Sequence, residues 1–345
     1  MIHLRHGDSA LTLDPAVGNL PAWHVGGRRP LHAAPWRDEA PVQDDPDIPP
    51  VNKRLAGDFL CLPFGRDDVA DGPVHGATAN MPWDVIRIDV AEAHMRLSVP
   101  VRGATVDKLV QIVGPVLYQT HRIAGGQGAL SLAHHPMTRM AEGGRLSVSP
   151  KRGVLTDPVA QYAGHNLWAL NQSRPDLRLD REDGGQWDLC HYPAGHAVED
   201  FCILAEARGA RVGWTVAMRN AEDDMLVVLK EARLLPVTML WVSNGGRDFP
   251  PWNGRHTGVL GIEDGCAAGG TGLAAAQGEN RLTAMGVPTV LQLGAARTIR
   301  HAMVSLPRPP GWCEVAGLTL DRGRLTLTET GGGQVSVPFD SGFFG

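Results

Sequence analysis

The sequence predicts an all-β protein, a large antiparallel two-sheet β-sandwich, and three observations carry that reading. Many short segments alternate apolar and polar residues, the pattern of a strand with one face inward. The 42 glycines and 26 prolines interrupt those segments at short intervals, as hairpin-connected strands require. Long helical periodicity is scarce. With 345 residues and 43% hydrophobic content, the chain has enough apolar surface for a sizeable core.

Taken in order, segment 95–101 alternates, and 106–123 is rich in Val, Ile, Tyr and Thr with a break at Gly114-Pro115. Residues 130–132, 145–148, 212–218 and 324–328 alternate as well. A short helix is expected within 271–285. Segment 151–195, with Pro158, Pro175, Pro193 and the charged run Asp180-Arg181-Glu182-Asp183, is the least regular part. It reads as an excursion from the sheet, because strands of one type flank it on both sides. A single domain over 1–345 is therefore expected, and no internal repeat is present.

The net charge of −5 and pI near 6.3 argue against a nucleic-acid surface, which needs clustered Lys and Arg. Apolar runs such as 225–229 and 234–242 fall well short of the roughly 20 residues that span a bilayer. The first residues lack the long apolar stretch of a secretory signal, so a cytoplasmic protein with no membrane partner is expected. Cys61, Cys190, Cys202, Cys266 and Cys313 are scattered without metal or redox spacing and read as reduced thiols. No Gly-x-Ser-x-Gly elbow, phosphate-cradling Gly-x-x-x-x-Gly-Lys or His-Glu-x-x-His occurs. Gly269-Gly270-Thr271-Gly272 follows no clear strand of a βαβ unit and is a poor dinucleotide loop. No cofactor or metal is called for.

Four places carry candidate chemistry. The first is Gly57-Asp58-Phe59-Leu60-Cys61-Leu62-Pro63-Phe64-Gly65-Arg66, followed by Pro73-Val74-His75-Gly76 and, further on, Trp83. Here a His-Gly pair puts an imidazole on a tight loop, although a loop histidine is often merely solvated and Trp83 serves the core as readily as a ligand. The second is His134-His135-Pro136. Neighbours in an extended chain face opposite ways, so one of the two histidines faces any given pocket. The third, Ala194-Gly195-His196-Ala197-Val198-Glu199-Asp200, offers an orienting carboxylate or an exposed acidic turn. The fourth runs from Leu240-Trp241 through Arg247 and the rigid loop Pro250-Pro251-Trp252-Asn253-Gly254-Arg255 to Ile262-Glu263-Asp264-Gly265. Its two carboxylates are either fixed catalytic groups or solvated turn acids.

Together, Gly57 to Gly65, His75-Gly76, His135-Pro136 and Ile262-Glu263 resemble the motifs of the aldose 1-epimerase, or galactose mutarotase-like, family, in the same order and over most of the chain. The resemblance implies a supersandwich with a sugar in an open cleft on one sheet. It implies Glu263 as general base at the anomeric hydroxyl, His135 as general acid at the ring oxygen, and His75 as a sugar-binding group, with Arg66 a further contact. The family's additional aspartate maps to Asp200. The family's Asn-Arg after the first motif is missing, and Met137 stands where an aromatic follows His-Pro; the substrate need not be galactose or glucose.

The chemistry also stands on the residues themselves. Opening a cyclic hemiacetal removes a proton from one oxygen and delivers one to another, so one carboxylate and one imidazole suffice. At reference pKa values of about 4.3 and 6.5, glutamate starts ionised and histidine partly protonated. Trp241 and Trp252 would wall the sugar's apolar face, and Arg247, Arg255 or Asn253 would bond hydroxyls. If Arg66, Arg139, Arg247 and Arg255 converged, an anionic sugar would be favoured. A non-catalytic carbohydrate-binding protein on the same fold is the alternative, and a lyase or glycosidase a further one. Oligomeric state is left open.

Overall fold

The computed structural model describes residues 1–192 and 197–345. Two large antiparallel sheets make the body, of eight and nine strands, with three-stranded sheets at each end of the chain. The eight-stranded sheet contains Lys151–Thr156, Val198–Glu206, Val237–Asn244, Val259–Cys266, Leu132–His134 and Leu60–Cys61 as consecutive neighbours. The nine-stranded sheet runs through Gly144–Val148, Val212–Arg219, Asp224–Glu231, Leu291–Pro307, Val116–Leu130 and Ala104–Val113. The two-sheet sandwich read from alternation is the observed fold.

Apolar side chains form three layers. Leu204, Leu240, Val242 and Ile262 meet Val106, Val110, Leu226 and Val228 between the sheets. Phe201, Met239, Trp241 and Val259, on the opposite face of the eight-stranded sheet, pack under segment 34–64. The far face of the nine-stranded sheet is covered by the C-terminal strands Val315–Asp321, Arg324–Glu329 and Gln334–Pro338 through Leu325, Leu327 and Phe339. This explains why Met225 to Leu229 reads as an unbroken apolar run rather than an alternating one. Its strand is central and covered on both sides.

Segment 106–123 breaks at Gly114-Pro115 into two paired strands, as its sequence predicts. The expected helix within 271–285 is two short ones, Leu273–Gln277 and Arg281–Ala284. Asn280 caps the second by accepting from Leu282 and Thr283 N–H, and this capping box starts a new helix rather than prolonging the first. Of segment 151–195, Lys151–Thr156 is a sheet strand, and the excursion follows it with the small pair Arg178–Asp180 and Gln186–Asp188.

The interior between the sheets is not purely apolar. Lys230 Nζ lies 3.1 Å from Glu206 and 3.0 Å from Asp264, and it donates to Thr238 Oγ1 at 2.6 Å. Lys151 pairs with the same Glu206 at 2.5 Å. Asp264 Oδ2 meets His301 Nε2 at 3.2 Å, the His301 ring stacks on His134 at 4.1 Å, and His134 Nδ1 meets Asp58 Oδ2 at 3.0 Å. Three acids (Asp58, Glu206, Asp264) and three lysines (Lys108, Lys151, Lys230) thus lie buried in one neighbourhood, with His134 and His301 between them. Burial alone would raise Asp58 and Asp264, but the contacts of Asp58 with His134 and of Asp264 with Lys230 and His301 outweigh it and hold both well below the usual carboxylate range.

Replacing Lys230 with Met would leave Glu206 and Asp264 buried with one cation fewer. Breaking a buried pair from one side costs about 3–5 kcal/mol. Urea denaturation of the Lys230→Met protein should show a loss of that size, and an unchanged midpoint would mean the network contributes no ion-pair stability.

Candidate functional site

The motif Gly57-Asp58-Phe59 builds the floor of the site. Gly57 has φ +59° and sits so close to Leu20 that a Cβ would lie 1.7 Å from its carbonyl oxygen, so only glycine fits. That contact delivers Asp58 to the interior, where it accepts from Gln119 Nε2 at 2.5 Å and from the His135 backbone N–H at 2.8 Å. Phe59 then lies flat against the His135 imidazole, ring centres 4.6 Å apart and 16° from parallel.

Three adjacent residue pairs are split between the two faces of the eight-stranded sheet. His135 and Glu263 face the outer cleft, while His134 and Asp264 enter the buried network. Glu199 and Asp200 divide in the same way, which corrects the expectation for Asp200. Its carboxylate accepts the backbone N–H groups of Leu167, Trp168 and Phe201, pinning the excursion to the sheet, and it does not line the cleft. The acid on the cleft side is Glu199, missed in the sequence although strict alternation with Phe201 offers it. His196, from the same stretch, lies outside the described residues.

The cleft has a volume of about 230 Å³ and is lined by His75, His135, Glu263, Trp241, Trp252 and Arg247, with Arg66 exposed beside it. His135 Nε2 is 3.1 Å from Glu263 Oε1. Glu263 Oε2 and His135 Nδ1 have no hydrogen-bond partner among the described residues. His75 has φ +63°, a strained turn made possible by Gly76, whose added Cβ would lie 2.0 Å from the Leu62 carbonyl oxygen. Its Nδ1 accepts from Gly65 N–H at 3.3 Å, which leaves the ring's Nε2–H as a donor.

Arg247 closes one side. Its guanidinium lies 4.3 Å from the Trp252 ring centre and 5.3 Å from that of Trp241, and its Nε is 2.8 Å from Glu199. Glu199 also accepts from Trp241 Nε1 at 2.6 Å and from Ser243 Oγ at 3.0 Å. Ser243 in turn meets His256 Nδ1 at 2.8 Å. The other expected contacts lie elsewhere: Arg255 is bidentate to Glu39, Asn253 is exposed outside the lining, Arg139 borders a different cavity, and Trp83 is buried with its indole N–H on Thr78.

Burial reverses the protonation expected from reference values. Glu263 is 1% exposed and His135 5%. Burial pushes the Glu263 carboxyl well above its usual range, against the pull of Arg247. The same desolvation holds His135 down to about 4 and His75 well below its ordinary value. The pair at rest is therefore a carboxylic acid beside a neutral imidazole, holding the proton that an ion pair would also hold.

Among the described residues, Asp58, His134 and His301 bring ligand-type atoms within 4.8 Å of one another. The two imidazole planes are 10° from parallel and stacked, so their in-plane lone pairs do not converge on one point. This cluster is built as a structural network rather than an ion cage.

The sequence matches no protein-family model and no curated protein. Solved structures do match. A protein of Synechocystis superposes with a TM-score of 0.58 at 16% identity over 89% of this chain and 95% of that one. A galactose mutarotase related enzyme from Lactobacillus acidophilus gives 0.57 at 10% identity over 90% and 98%, and a galactose mutarotase-like protein from Lactobacillus casei gives 0.55 at 11% over 89% and 99%. The fold is thus a β-sandwich of the galactose mutarotase-like kind. No helix among the described residues is long and apolar enough to cross a membrane.

Three buried imidazoles, His32, His134 and His135, are held down to about 4 by burial, from 6.5 in the open chain. The unfolded chain therefore takes up their protons first. Their contribution to stability is intact above about 6.5 and drains away as pH falls toward 4. Urea midpoints should drop steadily between pH 7 and pH 5, and the imidazole nitrogen resonances of His135 should stay those of a neutral ring at pH 6.

Proposed function

We propose that the protein is an aldose 1-epimerase, interconverting the α and β anomers of a sugar with Glu263 as base at the anomeric hydroxyl and His135 as acid at the ring oxygen. The observation that carries this is the 3.1 Å contact of the two groups at the wall of an aromatic-lined cleft. Such a pair offers one proton acceptor and one donor to a ligand in the cleft. Passage of the carboxyl proton to His135 Nε2 yields carboxylate and imidazolium with no change in proton count, and the positive charge of Arg247 favours that carboxylate. The anomeric hydroxyl then gives its proton to Glu263 as the ring oxygen takes one from His135 and the C1–ring-oxygen bond breaks. Rotation about C1–C2 and the reverse transfers close the other anomer. His75 donates Nε2–H to a sugar oxygen, while Trp241 and Trp252 hold the ring's apolar face.

The cleft is smaller than the roughly 300–1,000 Å³ of drug-sized sites, which suits one sugar ring rather than a chain. Arg247 is already paired with Glu199, and among the described residues Arg66 alone stands uncommitted at the rim, so a neutral aldose is favoured over an anionic one. A glycosidase reading fares worse, since the second carboxylate, Glu199, has its oxygens bonded to Trp241, Ser243 and Arg247 and does not line the cleft.

Saturation-transfer NMR of anomer exchange across neutral, phosphorylated and acidic sugars tests the proposal. The native protein should accelerate exchange of at least one sugar, and Glu263→Gln or His135→Asn should each lose roughly 10²–10⁴-fold while still binding it. Binding without accelerated exchange would instead identify a carbohydrate-binding protein, and full activity in Glu263→Gln would remove the carboxylate from the mechanism.

A further inference from the structure

A second cavity, larger than the sugar cleft, is bordered by described residues. It measures about 760 Å³ and lies at the end of the eight-stranded sheet, where Arg29, Arg139, His24 and His32 meet the backbone of Gly245 and Gly258. No aspartate or glutamate is among its described lining residues. The loop 245–258 separates it from the cleft, presenting Arg247 and Trp252 to one side and Gly245, Gly254 and Thr257 to the other.

The two arginines are held together from below. Arg219, fully buried and paired with Asp224, donates from a single nitrogen, Nη1, to the carbonyl of Arg29 at 3.1 Å and to that of Arg139 at 3.0 Å. Among the described residues Arg29 has no ion-pair partner. Arg139 has only Glu222, 3.6 Å from its Nε and outside the lining. Both arginine side chains border the cavity, and like charges at its wall favour an anion there. His32 borders the cavity as well. This is a cationic recess, and the fold ties the backbones of its two arginines together through a buried bolt.

We propose that this cavity is a second ligand site, taking the phosphate of a phosphomonoester at Arg29 and Arg139, with the His32 ring as a further contact. Tetrahedral phosphate suits the set, because its oxygens accept forked guanidinium and imidazole N–H bonds together. The cavity is large enough for the organic part of a small phosphorylated metabolite as well. The site stands apart from the sugar-epimerising reading and holds whether or not the cleft is catalytic.

Phosphorus-31 NMR titration of the full chain with inorganic phosphate and with glucose 6-phosphate tests it. The native protein should show saturable binding of at least one of the two. Arg29→Ala/Arg139→Ala should weaken that binding roughly tenfold or more. Both arginine side chains reach solvent, and a matching urea midpoint would establish that the variant is folded. Arg66→Ala/Arg247→Ala, which alters the cleft, should leave binding of inorganic phosphate within about twofold. Absence of saturable binding by the native protein at millimolar ligand would overturn the proposal. So would binding that survives loss of Arg29 and Arg139 or disappears with the cleft pair.

Discussion

The buried carboxylate of Asp58 is the interaction on which the site depends. One oxygen takes the backbone N–H of His135 and the other takes Gln119 and the His134 ring, so a single group fixes the segment where the chain turns from one face of the sheet to the other. An acid in this position requires compensation, because stripping water from a carboxylate is costly unless its lone pairs are filled. The structure fills them with donors from two sheets. The sandwich is thereby stitched through its middle, and His135 is held from behind while Phe59 holds it from below.

Desolvation then does two different things on the two sides of one strand. Inside, acids face lysines and stay charged, as Asp264 does beside Lys230. In the cleft, Glu263 has no lysine, and burial leaves it protonated beside a neutral imidazole. The neighbours 263 and 264 therefore differ in charge because of what they face. Reference values misjudged the resting state for this reason: they describe groups in water, and neither member of the cleft pair is in water.

Alternation made the fold legible. Segments 145–148, 212–218 and 324–328 are strands, as their local alternation says, although the middle one is covered on both faces. The short motifs around Asp58, His75, His135 and Glu263 indicated residues that do converge, although more than a hundred residues separate the last two. Asp200 was misread because alternation groups Glu199 with Phe201 but does not say which face meets the cleft; the pairing of Glu199 with Ser243 and of Phe201 with Trp241 decides that, and it is a tertiary fact. The bond between Glu199 and Arg247 was invisible for the same reason. The capping box at Asn280 was readable in principle, but the pattern is short and helix boundaries are weakly encoded.

The balanced set of three acids and three lysines bears on how this sequence can drift. Removing one member strands a partner of opposite sign, so an isolated substitution is penalised whichever residue it strikes, whereas exchanging a matched acid and base for apolar side chains of similar volume can be nearly neutral. Lys230, which touches two of the acids, is the hinge of that bookkeeping. The interior charges should accordingly be inherited in blocks, and a distant homologue that has lost Lys230 should have shed an acid at position 206 or 264 as well.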